Sequence, residues 1–406
     1  MKADRRLLLV LGSLSVGTAL AVTVISTYLP VLAVDSSNAL VVGALVGGEG
    51  LFGIVMPGLV GAYSDRVSHR VSDRLRLLVG CAVVLGGALL AVAAVTWLGG
   101  RSVIGYAVAL VALYAGYYAL LAPYWSLYPD LVPPDQSGRS RSVESTFRVI
   151  GVGLALIAGG LLLDLWAPLP FVVAAVVLAA VTLVLVLGLR ARWPQEVTGG
   201  SGEGTRAAVL GLLADPHIRN LCVANTLWNF ALSSLRAFVV LFFTIGLDRS
   251  TTFVSGVIFP AVAVGLAVAA PASGWLADKV GHVPVLMVAL VGYAVGMAIP
   301  GVSQQPWLIA VIPVVAAGAA TVMTLPFSVL MRLLPESDHG TASGLFGLSR
   351  GFGGTLGPIV TGGAILVFAD VFADTHGYAV LWLVCSAALL VSIPFLWTLR
   401  GDERLG

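Results

Sequence analysis

The 406-residue chain is 58% hydrophobic and only 10% charged, and its mean hydropathy is +1.00. That much apolar surface has no place in a water-soluble fold, whose single core stops growing near ~250–300 residues. The formal net charge of +2 argues against nucleic acid as a partner, and Cys81, Cys222 and Cys385 sit in separate apolar runs, giving neither a disulfide framework nor a metal site.

Taken in order, apolar runs long enough to cross a ~30 Å hydrocarbon layer as helices predict spans near 7–33, 39–63, 77–98, 103–128, 142–165, 168–189, 218–246, 253–277, 283–302, 306–331, 341–369 and 376–399. The runs lack apolar/polar alternation and are far longer than a barrel strand, so the expectation is an all-α integral membrane protein with twelve transmembrane helices. The first run, Leu7–Ala33, is too long for a signal-peptide core and has no small-residue cleavage site at its end; it reads as a retained span. Connections are short except Arg190–His217, which contains Gly199-Gly200-Ser201-Gly202-Glu203-Gly204 and is polar and flexible. It separates an N-terminal six-helix bundle (1–190) from a C-terminal one (218–406), with 191–217 as linker.

Basic residues set the orientation. Lys2, Arg5, Arg6, Arg66, Arg70, Arg74, Arg76, Arg139, Arg141, Arg190, Arg192, Arg206, Arg219, Lys279, Arg332, Arg400 and Arg404 fall on one side, against Arg101 and Arg249 on the other. Both termini are therefore expected in the cytoplasm. The arginine-rich, lysine-poor composition, with heavy Ala, Gly and Val use, suggests a GC-rich bacterial genome and hence the bacterial inner membrane.

The halves repeat each other. Pro57-Gly58-Leu59-Val60-Gly61-Ala62-Tyr63-Ser64-Asp65-Arg66 closes span 2, and Pro271-Ala272-Ser273-Gly274-Trp275-Leu276-Ala277-Asp278-Lys279 closes span 8. Each has a glycine, an aspartate four residues on, then a cation. Ahead of spans 5 and 11, Gly138 and Gly340 stand at one constant offset that also relates Arg148 to Arg350, Gly151 to Gly353 and Gly160 to Gly362. Such repeats predict two bundles related by a pseudo-two-fold axis.

With these motifs the chain resembles the major facilitator superfamily, and the resemblance covers nearly its whole length. The loop 2–3 signature G-x-x-x-D-R/K-x-G-R/K-R/K is met by Gly61, Asp65, Arg66 and Arg70, with Ser68 replacing its glycine and His69 a basic residue; Gly274, Asp278, Lys279 and Gly281 meet it in the second half. Pro123-Tyr124-Trp125-Ser126-Leu127-Tyr128-Pro129-Asp130-Leu131-Val132-Pro133 is similar to the span 4–5 region of the glycoside–pentoside–hexuronide and sucrose symporters. The acids that sodium-coupled members carry before the span 2 proline are absent: Phe52 and Met56 stand there, with Glu49 one turn earlier. Drug/proton antiporters of the superfamily carry an arginine in span 4 and a glycine–proline motif in span 5; here span 4 has no arginine, and the glycine–proline pattern, Gly353 to Pro358, is in span 11.

Candidate functional residues follow from the cost of polar groups in a bilayer, at least ~2.5–3.5 kcal/mol per charge near its centre. In span 7, Asn225, Asn229, Ser233 and Arg236 step by four, four and three along one helix face, with Trp228 beside them. A wet cavity would give this stripe a role in binding an anionic or hydroxyl-rich solute; helix–helix hydrogen bonding is the alternative. Tyr117, Tyr118 and Trp125 of span 4 suit stacking on a flat solute or ordinary packing. Glu49, an acid near mid-span, is the candidate for proton coupling, or a salt-bridge partner of an intramembrane arginine. Asp65, with Gly61, Arg66 and Arg70, reads as a cytoplasmic latch with Asp278 as its weaker counterpart, or as a topology signal. Arg148, its i−4 partner Glu144, and Arg350 read as gate or packing salt bridges.

These features predict a proton-coupled secondary active transporter that moves a small polar organic solute by alternating access, working as a monomer in membrane lipid. Proton-driven efflux of drugs or metabolites is the second reading; a lipid translocator or a sensor on the same fold is the third. An enzyme is not expected, nor any cofactor or metal: no Gly-Lys-Ser/Thr nucleotide loop and no zinc-type His/Cys spacing occur.

Overall fold

A computed structural model of the chain describes residues 5–99, 102–133, 136–196, 211–305, 307–334 and 339–400, with side chains at 65, 137, 138, 270, 339 and 340 excepted. The glycine-rich centre of the linker, the Asp65 side chain, and the repeat markers Gly138 and Gly340 beyond their backbone lie outside the described residues.

Twelve long helices account for nearly all of it: α1 Arg5–Ala33, α2 Ala39–Val67, α3 Val71–Trp97, α4 Val103–Leu131, α5 Ser137–Leu165, α6 Leu169–Gly188, α7 Pro216–Leu241, α8 Phe259–Val280, α9 His282–Val302, α10 Leu308–Leu333, α11 His339–Val367 and α12 Val380–Trp397. α7 continues through a π-turn, Phe242–Gly246, and α8 is entered through Thr251–Phe253 and a second π-turn, Val254–Ile258. Among the described residues, β-pairing is limited to an isolated antiparallel bridge between Arg70 and Glu196. Local chemistry starts the helices where a span must begin. The Ser102 hydroxyl accepts from Gly105 N–H at 3.0 Å, the Asp215 carboxylate accepts from His217 N–H at 2.8 Å ahead of Pro216, and the Ser250 hydroxyl accepts from Phe253 N–H at 3.0 Å.

Among the described residues, eleven helical segments are long and apolar enough to cross a membrane. α11 is as long, at 29 residues, but its apolar character is diluted by Gly351, Gly353, Gly354, Gly357, Gly362 and Gly363. Its place as a span therefore rests on length and packing. The chain is an all-α integral membrane protein.

It divides into two compact units, Met1–Ser37 with Phe52–Ser201, and Asn38–Leu51 with Gly202–Gly406. α2 is thus shared: its first half belongs with the second unit. In the first unit α1 packs on α5 and α6, and α3 on α4 and α6; in the second α7 packs on α11 and α12, and α9 on α10 and α12. The same pairing within each half gives the sequence repeat its physical meaning. A Cβ at Gly151 in α5 would strike the carbonyl oxygen of Val16 in α1, and one at Gly353 in α11 would strike that of Thr226 in α7. Without a bulk-water drive between helices, such backbone contact is what holds a membrane bundle together.

One boundary changes chemistry. α3 begins at Val71, not near 77, so Arg74 and Arg76 are helical residues and not part of an extended basic loop. Its first turn is satisfied from outside: the Asp73 carboxylate accepts from the N–H groups of Arg70 at 3.0 Å and His69 at 3.3 Å, while Val71 and Ser72 N–H donate to the carbonyls of Gln195 at 3.0 Å and Trp193 at 3.3 Å.

Candidate functional site

At the end of α2, Arg66 and Arg70 are exposed, as are Asp278 and Lys279 at the corresponding end of α8. Lys279 sits 3.8 Å above the ring of Trp275, a cation–π contact that occupies it locally. A side chain at Gly61 or Gly274 would meet open space. Among the described residues, the buried acid–base contact near this end of α2 is Arg74 with Asp130 of α4, at 2.8 Å with the two side chains 2% and 1% exposed. Gln195 lies across it, donating from Nε2 to the Asp130 carbonyl at 3.3 Å. The start of the linker is strapped over this pair by the Arg70–Glu196 bridge and the two hydrogen bonds to α3.

In the second unit, the polar stripe of α7 is largely consumed by packing. Asn225 is buried and donates from Nδ2 to the Ser349 hydroxyl at 2.7 Å and the Phe346 carbonyl at 3.2 Å, both on α11. Asn229 is buried too, and donates to Asn225 Oδ1 at 3.0 Å and its carbonyl at 2.9 Å. Trp228 is fully buried, its indole N–H donating to Ser392 of α12 at 2.8 Å. Asn225 and Trp228 hold α7 to α11 and α12, and Asn229 steadies Asn225 from within α7, which favours the hydrogen-bonding alternative over solute contact for them. The stripe does lie on one face, and that face meets α11 because Gly353 and Gly357 let the two backbones touch. Ser233 and Arg236 remain half-buried, and Arg236 forms no ion pair or hydrogen bond among the described residues. Asn225→Leu should lower thermal stability by about 1–2 kcal/mol, read as the unfolding midpoint of purified protein, since Ser349 and Asn229 then both lose a partner.

Glu49 is half-buried on the part of α2 that belongs to the second unit. That segment lies on α11 through a face of small residues: Gly43 against the Pro358 carbonyl, Gly47 against the Thr355 carbonyl, and Gly50 against the Gly351 carbonyl and the Thr355 hydroxyl. A Cβ at Gly354 would stand 3.6 Å from Ser233 Oγ and 3.7 Å from the Gly50 Cα. The neighbourhoods of Glu49 and of the uncommitted end of the α7 stripe therefore converge on Gly354.

In the first unit, Tyr117 and Tyr118 are half-buried and meet edge to face at 4.9 Å; Trp125 is 44% exposed. Tyr118 also lies over Gly53, 3.0 Å from where a Cβ would be. Tyr124 and Tyr128, which enter the sequence reading only within the symporter-like stretch Pro123–Pro133, are buried and hydrogen-bonded to each other at 2.9 Å. Glu144 is buried, pairs with exposed Arg148 at 3.7 Å as its i,i+4 spacing predicts, and accepts from the Ser15 hydroxyl of α1 at 2.9 Å. Arg350 is exposed and forms no ion pair among the described residues.

The sequence profile of the Major Facilitator Superfamily matches residues 126–358 and 244–405. The chain belongs to this superfamily. Among curated relatives, multidrug resistance protein MdtG of Escherichia fergusonii is 27% identical over 286 residues, 69% of this chain and 67% of that one. MdtG of Dickeya zeae is 29% identical over 274 residues, 66% of this chain and 64% of its own length. The nucleoside transporter NupG, as a point mutant, superposes with a TM-score of 0.80 at 14% identity over 97% of this chain and 100% of its own. A bacterial homologue of the lysosomal transporter Spinster gives 0.79 at 17% identity, over 97% and 96%. The superfamily chain is accordingly a multi-pass membrane transporter of small molecules and not an enzyme.

Proposed function

We propose that the chain is a proton-coupled secondary transporter of the bacterial inner membrane, working by alternating access of its two six-helix halves, and that it exports small organic molecules bearing an aromatic or apolar face. The supporting observation is the commitment of Asn225 and Asn229 to α11 and to each other. A sugar needs many convergent hydrogen-bonding groups; with these amides occupied, the partly accessible candidates are Tyr117, Tyr118, Trp125, Ser233 and Arg236, chiefly rings and one cation. The curated relatives, named as multidrug resistance proteins, favour export over the symport suggested by the resemblance around Pro123–Pro133. Glu49 and Arg236 are the groups proposed to exchange protons and engage the solute.

Expression in a bacterium lacking its own efflux pumps tests this. The expected result is lowered susceptibility to amphipathic aromatic compounds, with the same compounds collapsing the proton gradient of acid-loaded everted vesicles. Unchanged susceptibility, together with external alkalinisation when glycosides are added to intact cells, would establish sugar symport instead.

A further inference from the structure

Glu144 sits at the head of an unbroken row of side-chain oxygens that crosses three helices of the first unit. The Ser15 hydroxyl of α1 lies 2.9 Å from the Glu144 carboxylate, the Tyr124 hydroxyl of α4 lies 2.9 Å from Ser15 Oγ, and the Tyr128 hydroxyl lies 2.9 Å from Tyr124 Oη. The Tyr124 hydroxyl also reaches the Leu11 carbonyl of α1 at 2.7 Å. Ser15, Tyr124, Tyr128 and Glu144 are all buried.

Counting hydrogens shows what such a row permits. With Glu144 ionised, Tyr128 donates to Tyr124, Tyr124 to Ser15, and Ser15 to the carboxylate. With Glu144 protonated, its own O–H donates to Ser15, Ser15 donates to Tyr124, and Tyr124 turns its hydrogen onto the Leu11 carbonyl. Every buried oxygen is satisfied in both registers, and one proton on Glu144 together with hydroxyl rotations separates them.

The charged surroundings leave the same freedom. On its own helix Glu144 faces Arg148, whose Nε is 3.7 Å away and whose side chain is 55% exposed, while Arg141 is held 5.9 Å over the Tyr128 ring. From α4 the titratable groups in the row with it are Tyr124 and Tyr128. α1 carries no titratable group between Arg6 and Tyr28, and α6 carries none. The long, one-sided contact to a solvated arginine contrasts with Arg74–Asp130 at 2.8 Å, where both charges are locked.

We propose that Glu144 is a proton-binding site of this transporter, and that Ser15, Tyr124 and Tyr128 are positioning residues whose hydrogen-bond register reports its protonation to α1 and α4. The assignment rests on the reading of the chain as proton-coupled. Loading consumes one proton from water and forms one O–H bond on the carboxylate; release reverses it, and no other bond changes.

The test needs no transported solute. Infrared difference spectra of the protein reconstituted in vesicles, taken between acid and alkaline pH, are expected to contain a carboxylic C=O band of a buried acid that disappears on alkalinisation. Glu144→Gln, which keeps the acceptor for Ser15 and mimics the protonated acid, removes that band. Glu144→Asp restores one at a different frequency. Tyr124→Phe keeps the band but moves it to higher frequency, because Ser15 loses its partner and binds the acid less strongly; a merely structural tyrosine would leave the frequency alone. In a Glu49→Gln background, which silences the other acid proposed to exchange protons, a titrating buried-acid band that survives the addition of Glu144→Gln, or that is absent while Glu144 is intact, overturns the proposal. Compounds that leave the proton gradient intact while the Glu144 band titrates would overturn the transport reading alone.

Discussion

Asp130→Ala and Arg74→Ala are each expected to destabilise the protein by about 3–5 kcal/mol, the cost of leaving one member of a buried ion pair without its partner. The pair is 98% or more shielded on both sides, and the nearby linker strap, Trp193 to Glu196, closes over it. An isolated Arg74 would keep its charge, since guanidinium does not release its proton in proteins; an isolated Asp130 can take up a proton and so soften its loss. Arg74→Ala, which leaves the acid, should therefore be the milder of the two. Replacing both together, as Arg74→Met with Asp130→Leu, removes the charges and should cost far less than either single change. Arg76, 3.6 Å from Asp73 but 82% exposed, serves as the internal contrast: Arg76→Ala should change stability by less than about 1 kcal/mol. Thermal unfolding of the four purified variants decides the matter, and an Asp130→Ala protein as stable as the wild type would show that the pair is not locked.

That pair also marks where the sequence ceases to be readable. The spans are legible because bilayer thickness imposes a run length that composition reveals directly, and the predicted 39–63 and 103–128 differ from α2 and α4 only by a few residues at their C-terminal ends. The repeat is legible because Gly151 and Gly353 perform the same backbone contact in each half. Arg74 reads from sequence as a loop cation because Val71–Leu75 carries three polar residues in five and no apolar run, while the caps that start α3 come from Trp193 and Gln195, far along the chain. Asp130 lies in a segment notable for its resemblance to symporters, and nothing local distinguishes its carboxylate from that of a solvated helix end. In α7, spacing puts Asn225, Asn229 and Arg236 on one face, but does not say which neighbour that face meets. Periodicity specifies a face; the partner is a long-range fact set here by glycines on α11. The hydroxyl row at Glu144 draws one residue from α1, two from α4 and one from α5, so no single window of sequence contains it.

Gly47→Val is expected to pry the first half of α2 from α11. A Cβ at Gly47 lies 2.7 Å from the Thr355 carbonyl oxygen and 3.3 Å from Ile359 Cγ1, and the obstructing atom is helix backbone that cannot rotate away. Overpacking of this kind costs about 1–3 kcal/mol, and with about 1.4 kcal/mol equal to a factor of ten, the opened arrangement should gain about tenfold or more in population. Gly43 and Gly50, one turn to either side on the same face, make the contact continuous, so relief by sliding is blocked at both ends. Val42 is fully buried beside this seam and supplies the readout. In protein freed of Cys81, Cys222 and Cys385, a Val42→Cys thiol should react slowly with a water-soluble maleimide and about tenfold faster once Gly47→Val is added. Gly58→Val, on the same helix where an added side chain meets open space, should leave the rate unchanged. Equal labelling in all three proteins would mean that the seam does not hold α2 to α11. Faster labelling with Gly47→Val alone would identify these glycines as the surface whose opening and closing the transporter can use on that face, because a contact made of backbone and small residues has no interlocked side chains to withdraw before it parts.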